Sequence, residues 1–195
     1  MLSAAASAYS APKTVLVLGD SLSAEYGLAR GTGWVALAEK KIKDQKIDAE
    51  LVNASVSGET TSGGRTRLPA LLSKHKPALV VIELGANDGL RGLPVAAAQA
   101  NIKAMADASS KAGAKVMLVG MRIPPNYGRD YSEQFYAMYG KLSKELKAPL
   151  VPFMLDGVAE KTQLFQPDRL HPLAEAHPII LNNIWPTLQK SIKAP

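Results

Sequence analysis

Three residues in this 195-residue chain have the types and spacing that acyl transfer requires. Ser21 stands in "VLVLGDSLS", directly after a run of four apolar residues and Gly19-Asp20, while Asp168 and His171 stand three apart in "QPDRLHP". A serine hydroxyl is a weak nucleophile until an imidazole removes its proton. The imidazole in turn needs a carboxylate on its other nitrogen, to fix the tautomer and stabilise the imidazolium. Asp-x-x-His on one proline-flanked loop supplies both pieces. The tetrahedral intermediate also needs hydrogen-bond donors for its oxyanion. The candidates are the backbone N–H of Gly58 in "NASVSGETTSGG", where no side chain blocks close approach, the side-chain amide of Asn87 in "ELGAND", and the backbone N–H of Ser21.

Each of these residues has a plainer reading by itself. Ser21 between a strand and a helix serves as an N-cap, Gly58 as a turn glycine, and Asn87 as an Asx turn. Asp20 and Asp88 read as loop-bracing hydrogen-bonders. Two neighbouring ligands, Asp168 and His171, are too few for a closed zinc site; His75 reads as a solvated residue near a helix end and His177 as structural. No metal or cofactor is expected. "GDSLS" lacks the G-x-S-x-G nucleophile elbow, and no G-x-G-x-x-G or G-x-x-x-x-G-K loop comes after the first apolar run, which argues against nucleotide and flavin binding.

The elements that must position these groups are marked by the hydrophobic pattern. Segments 14–18, 49–53, 78–84, 115–120 and 149–153, rich in Val, Leu and Ile, read as buried parallel strands. Between them apolar residues fall at helical spacing, as in Trp34, Leu37, Ala38 and Ile42, or Ile102, Met105, Ala106 and Ser109. "RTRLPALLSKH" and "SEQFYAMYGKLSKEL" fill two more crossovers, and "AEAHPIILNNIWPTLQKSI" closes the chain. This alternation predicts an α/β sheet with helices on both faces, and ligands in such sheets sit beyond the carboxyl ends of the strands. Ser21, Gly58, Asn87 and the Asp168–His171 pair come after the first, second, third and fifth strands. Four residue types required by one mechanism thus converge on one end of the sheet.

Composition narrows the remaining classes. The 23 Lys and Arg are scattered among 17 Asp and Glu, so the net charge of +6 reads as a solvated surface without a nucleic-acid site. The longest apolar runs, "VLVL" and "ALVVI", are far shorter than the roughly 20 residues of a membrane helix. There is no cysteine to form disulfides or serve as a thiol nucleophile. Residues 1–12, "MLSAAASAYSAP", have the small-residue composition and an A-x-A motif of the end of a secretory signal. They are expected to be a signal remnant or a flexible arm, preceding a single domain over 13–195. The first of these implies a periplasmic or secreted protein and the second is compatible with the cytoplasm.

The chain resembles the SGNH (GDSL) hydrolase superfamily. Its four sequence blocks are matched in order by "GDSLS", "NASVSGETTSGG", "GAND" and "DRLHP". The wider stretches "RLPALLSKHKP", "ELGANDGLRG", "PPNYGRDY" and "WPTL" are similar to the bacterial thioesterase I, arylesterase and lysophospholipase L1 branch, from about Thr14 to Leu188. Ala86 departs from the glycine common there, and Arg169-Leu170 fill variable positions. The resemblance implies a three-layer, flavodoxin-like α/β fold with a five-stranded parallel sheet in the order 2-1-3-4-5. It implies a metal-independent esterase or thioesterase whose substrates are small acyl esters or thioesters, lysophospholipids among them. Ser21 would be the nucleophile, His171 the base, Asp168 its orienting acid, and Ser21, Gly58 and Asn87 the oxyanion hole. Leu90, Leu93, Ile123, Pro124 and Tyr127 are expected to line an acyl groove. The alternatives are a carbohydrate O-acetylesterase of the same superfamily and a non-catalytic flavodoxin-like binding module.

Overall fold

The computed structural model of the chain describes residues 11–194. The first ten residues of the expected signal remnant or arm lie outside them. Five strands form one sheet: β1 (Lys13–Gly19), β2 (Ala49–Asn53), β3 (Leu79–Glu83), β4 (Lys115–Val119) and β5 (Leu150–Val151). All neighbours pair in parallel, in the order β2-β1-β3-β4-β5. β1 and β3 are central, which is why Val15 through Leu18 and Leu79 through Ile82 are continuous apolar runs: both faces of these strands are covered and all eight residues are buried.

The helices are α1 (Trp34–Asp44), α2 (Thr61–His75), α3 (Ala86–Leu90), α4 (Val95–Lys111), α5 (Arg129–Leu146) and α6 (His177–Lys193). α1 and α6 pack together on one face of the sheet, and α2, α4 and α5 on the other. Each turns its periodic apolar residues inward. Trp34, Val35, Ala38 and Ile42 are buried on α1, and Ile102, Met105, Ala106 and Ser109 on α4. Ser109 is tolerated in the core because its hydroxyl donates to the Met105 carbonyl at 2.8 Å. Among the described residues no helix is long and apolar enough to cross a membrane.

Two elements differ from the sequence expectation. β5 is two residues long instead of five, since Pro149 and Pro152 on either side have no N–H to donate to a ladder. Residues 86–90, expected as loop, form the short helix α3, whose start places Asn87 one turn from the end of β3. The asparagine is thereby carried on a hydrogen-bonded turn, with Gly89 N–H bonding to the Gly85 carbonyl at 2.9 Å.

His75 is the last residue of α2 and is partly buried. His177 opens α6 and is buried, its Nδ1 accepting from the Trp34 N–H at 3.0 Å, so it joins the starts of α1 and α6. Burial holds its imidazole below the ordinary 6.5, against the opposing pull of the Glu25 charge and the Pro172 carbonyl. The folded protein therefore keeps this ring neutral at pH values where the unfolded chain protonates it. Stability from His177 is present above about 6.5 and is lost as the pH falls through the depressed folded value. His177→Gln, which keeps an acceptor for Trp34, is expected to lose less melting temperature than wild type between about pH 7.5 and about pH 5.5. Equal losses would show that the ring is not held neutral.

Candidate active site

β1 ends on Gly19 because the space where a side chain would begin is already filled. A Cβ at Gly19 would stand 2.7 Å from Glu83 Oε2 and 2.8 Å from Ser23 Oγ. Glu83, fully buried at the end of β3, accepts from Ser23 Oγ at 2.6 Å and from the Asp20 N–H at 3.3 Å. Trp34 Nε1 in turn donates to Ser23 Oγ at 3.0 Å. Desolvation, reinforced by the Asp20 charge, pushes the Glu83 carboxyl well above the ordinary carboxylate range. These contacts, with Asp20 Oδ1 accepting from the Leu22 N–H at 3.0 Å, fix the turn that presents Ser21.

Ser21 Oγ lies 2.9 Å from His171 Nε2, and His171 Nδ1 lies 2.6 Å from Asp168 Oδ2. Asp168 Oδ1 accepts from the backbone N–H groups of Leu170 and His171 at 2.9 and 3.0 Å. Burial alone raises the Asp168 carboxyl, but the His171 ring hydrogen bond, the two backbone donors and the imidazole charge outweigh it and bring the carboxyl down to about 2. An ionised Asp168 only accepts, so Nδ1 carries the hydrogen and Nε2 offers its lone pair to Ser21. The tautomer is the one a general base needs.

The loop that carries Asp168 and His171 is not structureless. A 3₁₀ turn spans Thr162–Leu164, and Phe165 and Pro172 form an antiparallel bridge that closes its base. Gln166 Nε2 reaches across to the Tyr26 carbonyl at 2.9 Å. The Tyr26 ring packs on the His171 imidazole with centroids 4.4 Å apart.

Gly58 arrives along β1's neighbour. The segment after β2 stays zipped to β1, with Ala54 N–H on the Val17 carbonyl at 2.9 Å and Val56 N–H on the Gly19 carbonyl at 3.1 Å. Gly58 has φ +78°, a conformation that favours glycine, and its carbonyl accepts from Arg91 at 3.1 Å. Among the described residues, neither the Ser21 nor the Gly58 N–H meets a protein acceptor. Asn87 Nδ2 donates to the Glu59 carbonyl at 3.0 Å and to Asp20 Oδ2 at 3.2 Å. Asp88 turns the other way and braces α2, accepting from Thr61 N–H at 2.8 Å and Thr61 Oγ1 at 2.5 Å.

A cavity of about 400 Å³ opens beside Ser21, Asn87 and His171. Of the five residues expected at an acyl groove, Leu90, Ile123 and Pro124 are among the lining residues of this cavity and Leu93 and Tyr127 are not. Both are exposed: Leu93 closes the turn after α3, its N–H on the Asp88 carbonyl at 3.0 Å, and Tyr127 ends the 3₁₀ turn Pro125–Tyr127. Larger apolar walls come also from Met121, Phe153, Leu155 and Phe165, which the sequence analysis did not single out, and from Leu170, which it named only as a variable position. Met121 and Phe153 each stand closely after a strand, the same kind of position that marks the polar groups. Among the described residues no three His, Cys, Asp or Glu side chains are grouped to hold a metal.

Residues 17–179 match the model of the GDSL-like lipase/acylhydrolase family. The chain is 51% identical to the esterase TesA of Pseudomonas aeruginosa over 179 residues, which cover 92% of this chain and 89% of that protein. It is 42% identical to thioesterase 1/protease 1/lysophospholipase L1 of Escherichia coli K12 over 179 residues, covering 92% and 85%. The esterase EstA of Pseudoalteromonas sp., in a structure inhibited by monoethylphosphonate, superposes with a TM-score of 0.89 at 43% identity, over 93% of this chain and all of that one. With the sheet order, the convergence of Ser21, His171 and Asp168, and a match spanning nearly the whole described chain, the protein belongs to the GDSL-like lipase/acylhydrolase, or SGNH hydrolase, family.

Proposed function

We propose that the protein hydrolyses carboxylic esters and thioesters through an acyl-enzyme on Ser21. The observation that carries this is the continuous relay from Ser21 Oγ to His171 Nε2 at 2.9 Å and from His171 Nδ1 to Asp168 Oδ2 at 2.6 Å, opening on an apolar cavity. Ser21 Oγ attacks the acyl carbonyl as its proton passes to His171 Nε2. The oxyanion is received by the free N–H groups of Ser21 and Gly58 and by the Asn87 amide, whose hydrogen on Asp20 Oδ2, the longer of its two bonds at 3.2 Å, turns from that carboxyl to the oxyanion. His171 then returns the proton to the departing alcohol or thiol as the C–O or C–S bond breaks. Water, deprotonated by the same imidazole, releases the acid and restores Ser21.

Inhibition of EstA by a phosphonate supports the reading, because a tetrahedral phosphonyl group resembles the intermediate of acyl transfer. The cavity supports an acyl chain longer than acetyl. Seven of its walls, Leu90, Met121, Ile123, Phe153, Leu155, Phe165 and Leu170, are apolar, and burying each methylene against them contributes about 0.8 kcal/mol. Arg122 and Arg169 stand among the lining residues as well.

A series of p-nitrophenyl and acyl-CoA esters of increasing chain length tests the substrate class. kcat/KM is expected to rise from acetyl to medium chains. Activity confined to acetyl esters would point instead to an O-acetylesterase. Ser21→Ala is expected to lower hydrolysis more than about 10³-fold with the fold intact; wild-type turnover would end the proposal. Asn87→Ala is expected to lower kcat by roughly 10²-fold to 10³-fold while KM changes little, and a loss confined to KM would make Asn87 a binding residue.

A further inference from the structure

The lysines that are scattered along the sequence are gathered in space. Because the strands are parallel, the helices α1, α2, α4 and α5 that lead from one strand to the next all end at the side of the sheet where the strands begin, opposite the cavity. Exposed lysines stand at every one of these ends: Lys46 after α1, Lys74 and Lys76 at the end of α2, Lys111 at the end of α4, Lys144 and Lys147 at the end of α5. α6 finishes at the same side, where Lys13 of β1 and Lys115 of β4 donate to the Ala194 carbonyl, and it adds Lys190 and Lys193. Among the described residues none of these helix-end lysines is paired with a carboxylate. Against them stand Asp44 and Glu145, already paired with Lys40 and Lys103, and Asp48 and Glu50.

Helix dipoles explain part of this charge. A lysine in the last turn answers the partial negative charge of a helix end, and Lys43, Lys74, Lys111 and Lys144 are so placed. The turn residues need another reason. Lys46, Lys76 and Lys147 have φ of +51°, +43° and +51°, the left-handed conformation in which a Cβ crowds the backbone and glycine is the favoured residue. Gly113, with φ +84°, holds the corresponding turn after α4. The turns after α1, α2 and α5 thus keep a strained lysine where glycine would be unstrained, each beside a helix whose last turn already carries a cation.

We infer that this side of the sheet is an electrostatic docking face for a lipid bilayer with anionic headgroups, which leaves the cavity open to the water on the opposite side. The make-up of the face selects that partner among polyanions. Lysine is a point charge that suits a diffuse layer of headgroups, whereas the arginine forks and aromatic faces that grip phosphates in register and stack on bases are absent from it. The arginines stand in the loops on the cavity side or, like Arg67 and Arg129, in the first halves of helices. Among the described residues the large apolar side chains that are exposed, Tyr26, Val56, Leu93, Tyr127 and Leu170, also lie beyond the carboxyl ends of the strands. Nothing on the lysine face inserts into hydrocarbon, so the contact is one of charge, and it is independent of the reaction at Ser21.

Each lysine brought to an anionic surface strengthens binding about five-fold at low ionic strength. The test is co-sedimentation of the protein with vesicles of phosphatidylglycerol and phosphatidylcholine in equal parts, beside vesicles of phosphatidylcholine alone. Binding is expected to the first and not to the second, and is expected to be lost between about 0.05 M and about 0.5 M salt. Lys46→Gly, Lys76→Gly and Lys147→Gly, combined, are expected to weaken it about 100-fold, while the melting temperature holds or rises and turnover of a soluble p-nitrophenyl ester stays within about two-fold. The same loss is expected of Lys74→Gln, Lys144→Gln and Lys190→Gln combined, which leaves the turns untouched. Arg30→Gln, Arg65→Gln and Lys161→Gln remove as much charge from elsewhere and are expected to weaken binding less than about five-fold. No binding to the anionic vesicles, equal binding to both kinds, or full binding by the glycine variant would overturn the inference. Tighter binding to a DNA duplex than to the vesicles at equal phosphate concentration would overturn it as well, by making nucleic acid the partner.

Discussion

The structure is organised around a problem of reach. Ser21 stands at the end of β1, and the imidazole that must touch it comes from the segment after β5, on the far edge of the sheet. Three strand spacings of about 4.8 Å separate the two strands, so the loop must travel back roughly 14 Å and stop within hydrogen-bond distance. A slack loop would pay for that position in conformational entropy each time it was occupied. Here the Phe165–Pro172 bridge, the reach of Gln166 to Tyr26, and the three hydrogen bonds that His171 and Leu170 make to Asp168 hold the imidazole in advance.

The nucleophile is fixed by different means. Its turn is anchored from beneath by Glu83, a carboxyl buried so completely that its neutral form is favoured, and which occupies the space that a Gly19 side chain would need. From Trp34 through Ser23 to Glu83 and the Asp20 N–H, a line of buried polar groups runs under the site. Both bonds to Glu83 fall on its Oε2, and among the described residues the buried Oε1 has no protein partner. The imidazole is thus fixed by exposed loop contacts and the serine by buried ones. Only the strand order β2-β1-β3, with Gly58 and Asn87 delivered from the two neighbours of β1, lets one small cavity collect both.

Much of this was legible in the residues. The buried strands announced themselves as runs such as "VLVL" and "LVVIE", and Ser21, Gly58, Asn87, Asp168 and His171 stood out by their places beyond the strand ends. Their spatial order came from the family resemblance, because hydrophobic period carries no information on which strand lies beside which. Helix α3 was missed because five residues are too few to show a period. The contacts of Tyr26 with His171, and of Phe165 and Leu170 with the cavity, were invisible for a different reason: they join segments far apart in the chain, and nothing local marks them. Leu93 and Tyr127 are the converse case, exposed and outside the cavity lining. An apolar residue near the site in sequence need not border it.

Catalysis by this relay requires that Ser21 Oγ be the atom that becomes acylated. The direct measurement is to treat the protein with a fluorophosphonate, digest it, and map the adduct by mass spectrometry, beside the same treatment of His171→Ala. One adduct on the peptide containing Ser21, formed quickly in the wild type and at least about 10³-fold more slowly without the imidazole, is the result the relay requires. A protein that goes on hydrolysing esters without any adduct at Ser21, or one labelled equally fast without His171, would contradict it.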